Sequence, residues 1–129
     1  MLPLVPFQYP RALVVDDNAD AAEAFARLLR LMGCETMSLT DPFLALDAAD
    51  RWKAQVVFLD IGMPGMDGFE LARRLRAKYG FDSLRIVAVT AYSEEEHRTM
   101  SRQAGFDAHV VKPVDIHLVE SMLRTLFPG

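Results

Sequence analysis

Five short apolar runs punctuate the chain, and four of them stop at a polar residue. They are Arg-Ala-Leu-Val-Val-Asp at 11–16, Gln-Val-Val-Phe-Leu-Asp at 55–60, Leu-Arg-Ile-Val-Ala-Val-Thr at 84–90 and Asp-Ala-His-Val-Val-Lys at 107–112. The fifth, Cys-Glu-Thr-Met-Ser-Leu at 34–39, alternates more weakly. Continuous apolar strands are what a parallel sheet covered on both faces requires.

Between the strands the apolar period changes to that of a helix. Ala22, Phe25, Leu29 and Met32 share one face, and Gly33 supplies a stop. Pro42, after Thr40 and Asp41, opens a second helix through about Trp52, because proline is tolerated in a first turn. Asp67 with Glu70 forms a capping pattern for a third, carrying Leu71, Leu75 and Tyr79. Ser93 with Glu96 forms another for a helix ending near Gly105, and Ile116, Val119, Leu123 and Leu126 mark the last. Five strands alternating with five helices predict an α/β fold with right-handed crossovers. The expected architecture is a flavodoxin-like (βα)5 three-layer sandwich with a parallel sheet in the order 2-1-3-4-5. In such sheets the ligand site lies outside the carboxyl ends of the strands, at the switch point.

Composition narrows this picture. The 129 residues fit one domain, read as residues 11–127 behind an N-terminal leader or linker over 1–10. That leader is interrupted by Pro3, Pro6 and Pro10, lacks the features of a signal peptide, and is expected to pack loosely. A net charge of −4 argues against direct nucleic-acid binding. No apolar run approaches the roughly 18 residues of a membrane span. The single cysteine, Cys34, excludes an intrachain disulfide and suits a reducing, cytoplasmic setting.

The polar residues that end the strands carry the chemistry. Asp16 and Asp17 close the first strand, Asp60 the third, Thr90 the fourth and Lys112 the fifth. With the first and third strands adjacent, three carboxylates converge, and like charges resist joint ionisation. A hard divalent cation such as Mg²⁺, which takes oxygen ligands, resolves the conflict. Lys112 adds a positive charge and Thr90 a hydroxyl donor. Taken singly, each residue is an ordinary cap, turn former or solvated lysine. Together they form a phosphoryl-transfer constellation, with Asp60 as nucleophile and Lys112 and Thr90 facing the phosphate oxygens.

At these positions the sequence resembles the response-regulator receiver family of two-component systems. The motifs are Leu-Val-Val-Asp-Asp-Asn at 13–18, Leu-Asp-Ile-Gly-Met-Pro-Gly-Met-Asp-Gly at 59–68, Val-Thr-Ala at 89–91 and Val-Lys-Pro at 111–113. The resemblance implies that Asp60 is the phosphorylated aspartate. It implies that Asp17, Asp60 and the Gly62 carbonyl bind Mg²⁺ directly and that Asp16 acts mainly through water. Thr90 and Lys112 become the phosphate-sensing hydroxyl and amine. Thr90 also pairs with the residue three before the lysine, here His109 instead of the usual aromatic, as a switch. The bond before Pro113 is expected to be cis, and Tyr92 is expected to flank the phosphoryl group. The implied partners are a sensor histidine kinase or a histidine phosphotransfer protein, an attached or separate output partner, and a second copy of the chain. The wording of the motifs is similar to receivers of hybrid sensor kinases.

Two other classes fit less well. A haloacid-dehalogenase-type phosphatase needs an aspartate two residues past the nucleophile, where this chain has Gly62. A flavin-binding module needs a Ser/Thr/Gly-rich phosphate loop after the first strand, which is missing. His97, His109 and His117 lack metal-binding spacing. Cys34 is expected to pack as a small apolar group. Met63, Met66 and Met100 read as packing or interface residues. Arg73, Arg74, Arg76 and Lys78 read as a solvated basic face. Residues 94–103 carry one strong apolar anchor, Met100, so that helix, the last strand and the last helix are expected to form a movable output surface.

Overall fold

The computed structural model describes residues 7–61, 68–80, 83–91 and 104–128. Five strands, β1 (Ala12–Val15), β2 (Thr36–Leu39), β3 (Val56–Asp60), β4 (Arg85–Thr90) and β5 (Ala108–Val111), form one sheet. The order is β2-β1-β3-β4-β5, with every neighbouring pair parallel. The described helices are α1 (Ala19–Met32), α2 (Ala45–Trp52), α3 (Gly68–Lys78) and α4 (Ile116–Leu126). The expected helix from Ser93 to Gly105 lies almost wholly outside the described residues, as do Asp67, His97, Met63, Met66 and Met100.

The two-residue period of the strands builds two cores from one sheet. Leu13, Val15, Val57, Leu59, Ile86 and Ala88 pack against Ala45, Ala49, Leu71 and Leu75 of α2 and α3. Ala12, Val14, Val56, Phe58, Val87 and Val89 face Phe25 and Leu29 of α1 and Val119 and Leu123 of α4. Phe58 is fully buried, with its ring centroid 4.9 Å from that of Phe25. Burying each such side chain contributes about 1.5–3 kcal/mol. Cys34 is buried in the same layer, and burial pushes its thiol up to about 11.

Local chemistry sets the helix ends. Asn18 accepts a bond from the Ala21 N–H at 3.0 Å to open α1, and Asp115 accepts one from the His117 N–H at 2.9 Å to open α4. Gly33 closes α1 with φ 124°, its N–H reaching the carbonyls of Leu29 and Arg30. The segment opened by Pro42 starts as a 3-10 turn, Pro42–Leu44, and becomes α-helical only at Ala45. Asp41 makes that tight entry by accepting from the Phe43 N–H at 2.9 Å. Lys53 ends α2 with φ 58°, a left-handed conformation.

Two expectations are corrected. Phe7–Pro10 is not loosely packed. The Tyr9 hydroxyl donates to Glu120 at 2.8 Å, the Arg124 guanidinium lies 4.7 Å from the Phe7 ring, and Tyr9 sits over Gly33. Arg76 is not part of a solvated face. It folds inward onto Asp107, and the two side chains are 11% and 8% exposed.

Candidate functional site

The carboxyl edge of the sheet gathers the strand-terminal residues. Val15 pairs with Leu59, so Asp16, next after Val15, stands beside Asp60, the last residue of β3. Ligand-capable atoms of Asp16, Asp17 and Asp60 all lie within 4.8 Å of one another. From the far side, the Lys112 ammonium reaches to 3.7 Å from Asp16 and 3.9 Å from Asp60. It is held there by its own backbone, whose N–H donates to the Thr90 carbonyl at 2.7 Å. Thr90 ends β4 and is buried.

Burial is the largest cause that raises the Asp16 carboxyl above the ordinary carboxylate range, and the charge of Asp60 adds to it. The Asn18 N–H, 2.9 Å from Asp16 Oδ1, and the Lys112 charge pull the other way without cancelling the effect. Three carboxylates against one ammonium leave a net negative charge at a partly buried place. The donor set is all hard oxygen, graded from buried Asp16 through half-buried Asp60 to exposed Asp17. That is a suitable seat for a small divalent cation with open positions toward solvent.

The sequence-derived residues Asp16, Asp17, Asp60 and Lys112 therefore come together, with Thr90 beside them in the next strand. His109 lies on β5 opposite Ala88 and is half-buried. The Lys112–Pro113 bond is cis. Gly62 and Tyr92 lie outside the described residues. Sequence reasoning missed Arg76 and Asp107, although Arg76 sits one helical turn past buried Ala72, a spacing that points inward. It also gave no role to Gly68.

Comparison with known proteins agrees with this geometry. The family model described as response regulator receiver domain matches residues 12–124. The chain is 33% identical over 114 residues to the sensory transduction protein RegX3 of Mycobacterium tuberculosis, covering 88% of this chain and 49% of that protein. It is 33% identical over 108 residues to the sensor protein GacS of Pseudomonas syringae, covering 81% of this chain and 12% of that protein. The chain thus spans about half the length of RegX3 and a small part of GacS. Among solved structures, Vibrio cholerae CheY4 superposes with a TM-score of 0.84 at 23% identity, covering 93% of this chain and all of that one. A receiver domain protein of Methanospirillum hungatei superposes with a TM-score of 0.80 at 26% identity, covering 92% and 94%. The match spans every strand of the sheet and the residues that crowd its carboxyl edge, and the chain belongs to the response regulator receiver domain family, the phosphoacceptor modules of two-component signalling.

Proposed function

We propose that Asp60 takes a phosphoryl group from a phosphohistidine of a sensor kinase or phosphotransfer protein, with Mg²⁺ bound at Asp16, Asp17 and Asp60. The observation that carries this reading is the meeting of three carboxylates within 4.8 Å with the Lys112 ammonium 3.9 Å from Asp60. When bound, Mg²⁺ supplies positive charge to the phosphate oxygens and offsets carboxylate repulsion. An oxygen of Asp60 forms the new P–O bond as the P–N bond of the donor breaks. The electron pair of that bond returns to the imidazole nitrogen. Lys112 stabilises charge on the equatorial oxygens, and the Thr90 hydroxyl donates to one of them. The Gly62 carbonyl is a further candidate ligand, and Tyr92 a neighbour of the phosphoryl group.

The approach of the donor follows from a groove of about 270 Å³ that opens onto Asp16 and Lys112. Its walls are Ala21, Ala24, Phe25 and Leu28 of α1 with Pro113 and Val114. An apolar wall that ends at Asp16 and Lys112, the neighbours of Asp60, suits a helix that presents its histidine to Asp60. The chain acts as a switch and not as a turnover enzyme. Thr90 and His109 relay the new charge to an output surface formed by residues 94–103, β5 and α4. A cytoplasmic setting, a receiver unit over 11–127 and a leader over 1–10 complete the proposal, with an attached or separate output partner or a second copy of the chain as reader.

The test is phosphorylation by acetyl phosphate with Mg²⁺, read by intact-protein mass spectrometry. One phosphoryl group should be gained, and none by Asp60→Asn. Equal labelling of that variant would remove Asp60 as acceptor.

A further inference from the structure

We propose that Gly68 is a positioning residue for the phosphoryl acceptor: the missing side chain lets the start of α3 press on the backbone of Asp60 and Ile61 and hold it in place. This rests on the reading of Asp60 as acceptor. A β-carbon at position 68 would lie 2.5 Å from Ile61 Cα, 2.7 Å from Ile61 Cγ2 and 2.9 Å from the Asp60 carbonyl oxygen. Two of these three atoms are backbone, so the clash cannot be relieved by turning a side chain. Either α3 retreats or the Asp60–Ile61 backbone moves.

The same short segment is held from two sides. The Ile61 N–H donates to the Val89 carbonyl of β4 at 3.3 Å, and the Ile61 carbonyl accepts from the Gly68 N–H at 3.4 Å. Ile61 is 8% exposed, and Phe69, next in α3, lies in the same core cluster. The acceptor thus stands at the end of a strand whose exit is clamped between β4 and the first residue of α3. Lys112 and Asp16 approach Asp60 from other elements and are fixed independently, by Thr90 and by the Asn18 N–H. A shift of the Asp60 backbone alone therefore misaligns the carboxylate against groups that stay still. In-line displacement is sensitive to such shifts, with about a hundredfold at stake for 1 Å. By contrast, a β-carbon at Gly80 would meet nothing within 4 Å.

The experiment compares wild type, Gly68→Ala, Gly80→Ala and Val119→Ala for phosphorylation by phosphoramidate with Mg²⁺, per folded molecule by far-ultraviolet circular dichroism. Gly68→Ala is expected to lower the limiting rate about tenfold to a hundredfold while the half-saturating donor concentration changes little. Gly80→Ala should keep the wild-type rate. Val119→Ala, a truncation in the core on the sheet face opposite Ile61 and Phe69, should lose stability but keep its rate. A wild-type rate for Gly68→Ala, or a loss matched by Val119→Ala, would overturn the proposal. The double variant Gly68→Ala/Ile61→Ala, measured against Ile61→Ala alone, removes the Cγ2 clash and leaves the backbone one. Rates should stay low in the double variant, whereas restoration would mean side-chain packing and not backbone placement. If Gly68→Ala does not fold, hydrogen exchange of the wild type decides: the Ile61 amide must be protected, and exchange at a free-loop rate sinks the idea. Asp60→Asn is run alongside. Labelling of that variant would fail the acceptor reading, while its silence with full activity of Gly68→Ala would fail this inference alone.

Discussion

The Arg76 guanidinium lies 2.7 Å from the Asp107 carboxylate, and together they tie α3 to the start of β5 at the amino edge of the sheet. The same Asp107 oxygen accepts the Ile86 N–H at 2.7 Å, and Arg76 also donates to the carbonyls of Leu84 at 2.7 Å and Gly105 at 2.9 Å. Removing Asp107 leaves the buried guanidinium its carbonyl acceptors but takes away its counter-charge and the acceptor of the Ile86 N–H. Asp107→Ala should cost about 3–5 kcal/mol, read from the urea midpoint. A loss below about 1 kcal/mol would mean that the Leu84 and Gly105 carbonyls suffice to hold Arg76 without its counter-charge.

Asp16 is held in the opposite condition, buried beside another carboxylate. In protein stripped with EDTA, Asp16→Asn should melt at a higher temperature than wild type, because an amide carries no charge to bury. With Mg²⁺ the ranking should narrow or reverse, since the variant forfeits a ligand. Melting scans with and without the ion check both halves. Equal melting temperatures in EDTA would mean that Asp16 bears no burial cost.

Tyr79 and Asp50 supply a pH signature where α3 meets α2. The Tyr79 hydroxyl donates to Asp50 at 2.9 Å. Burial first, then Asp50, pushes Tyr79 up to about 12, and the Tyr79 bond first, then Lys78, lowers Asp50. Between pH 10 and about 12 the folded tyrosine keeps a proton that the unfolded one sheds. Stability from this group is therefore present below pH 10 and lost as pH rises toward 12. The Asp50 share has the opposite sense, present above the ordinary carboxylate range and lost as pH falls through its lowered value. Tyr79→Phe should flatten both flanks of a stability–pH curve, and an unchanged acid flank would refute the bond, since that bond is the first cause of the lowered Asp50 value.

Lys53 carries φ 58°, where a β-carbon is strained and glycine is not. Lys53→Gly should stabilise by about 0.5–1 kcal/mol, the relief exceeding the added freedom of the unfolded chain. Chemical denaturation measures it, and a destabilised variant would show that the lysine stem compensates.

The apolar runs foretell the strands and the four strand-end residues because period and position are local properties, whereas the order 2-1-3-4-5 comes from the fold class that alternating strands and helices imply. The gathering of Asp16, Asp17 and Asp60 followed directly, since adjacent parallel strands bring their ends together. Arg76 reads as solvated from sequence because a charge run on a helix looks the same whether or not one member turns inward. Its partner Asp107 is distant in sequence, and only the packed fold joins them. Gly68 was hidden for a related reason, because close approach to Ile61 is a property of tertiary packing. The docking of Phe7 and Tyr9 on α4 likewise depends on residues more than a hundred positions away.

The amino edge of the sheet has its own polar set, one member before or at the start of each strand: Arg11, Glu35, Gln55, Arg85 and Asp107. Arg11 reaches Glu35 at 3.1 Å, and its N–H reaches Gln55 at 2.9 Å, while Arg85 stands 3.8 Å from Asp107. At this rim opposite charges meet, and at the other rim like charges crowd. The molecule is thus polarised along its strands, with a fastened base and a strained crown. Substitutions at the base can retune how firmly the domain holds together without rewriting the phosphoryl chemistry, leaving the two properties free to drift apart between relatives.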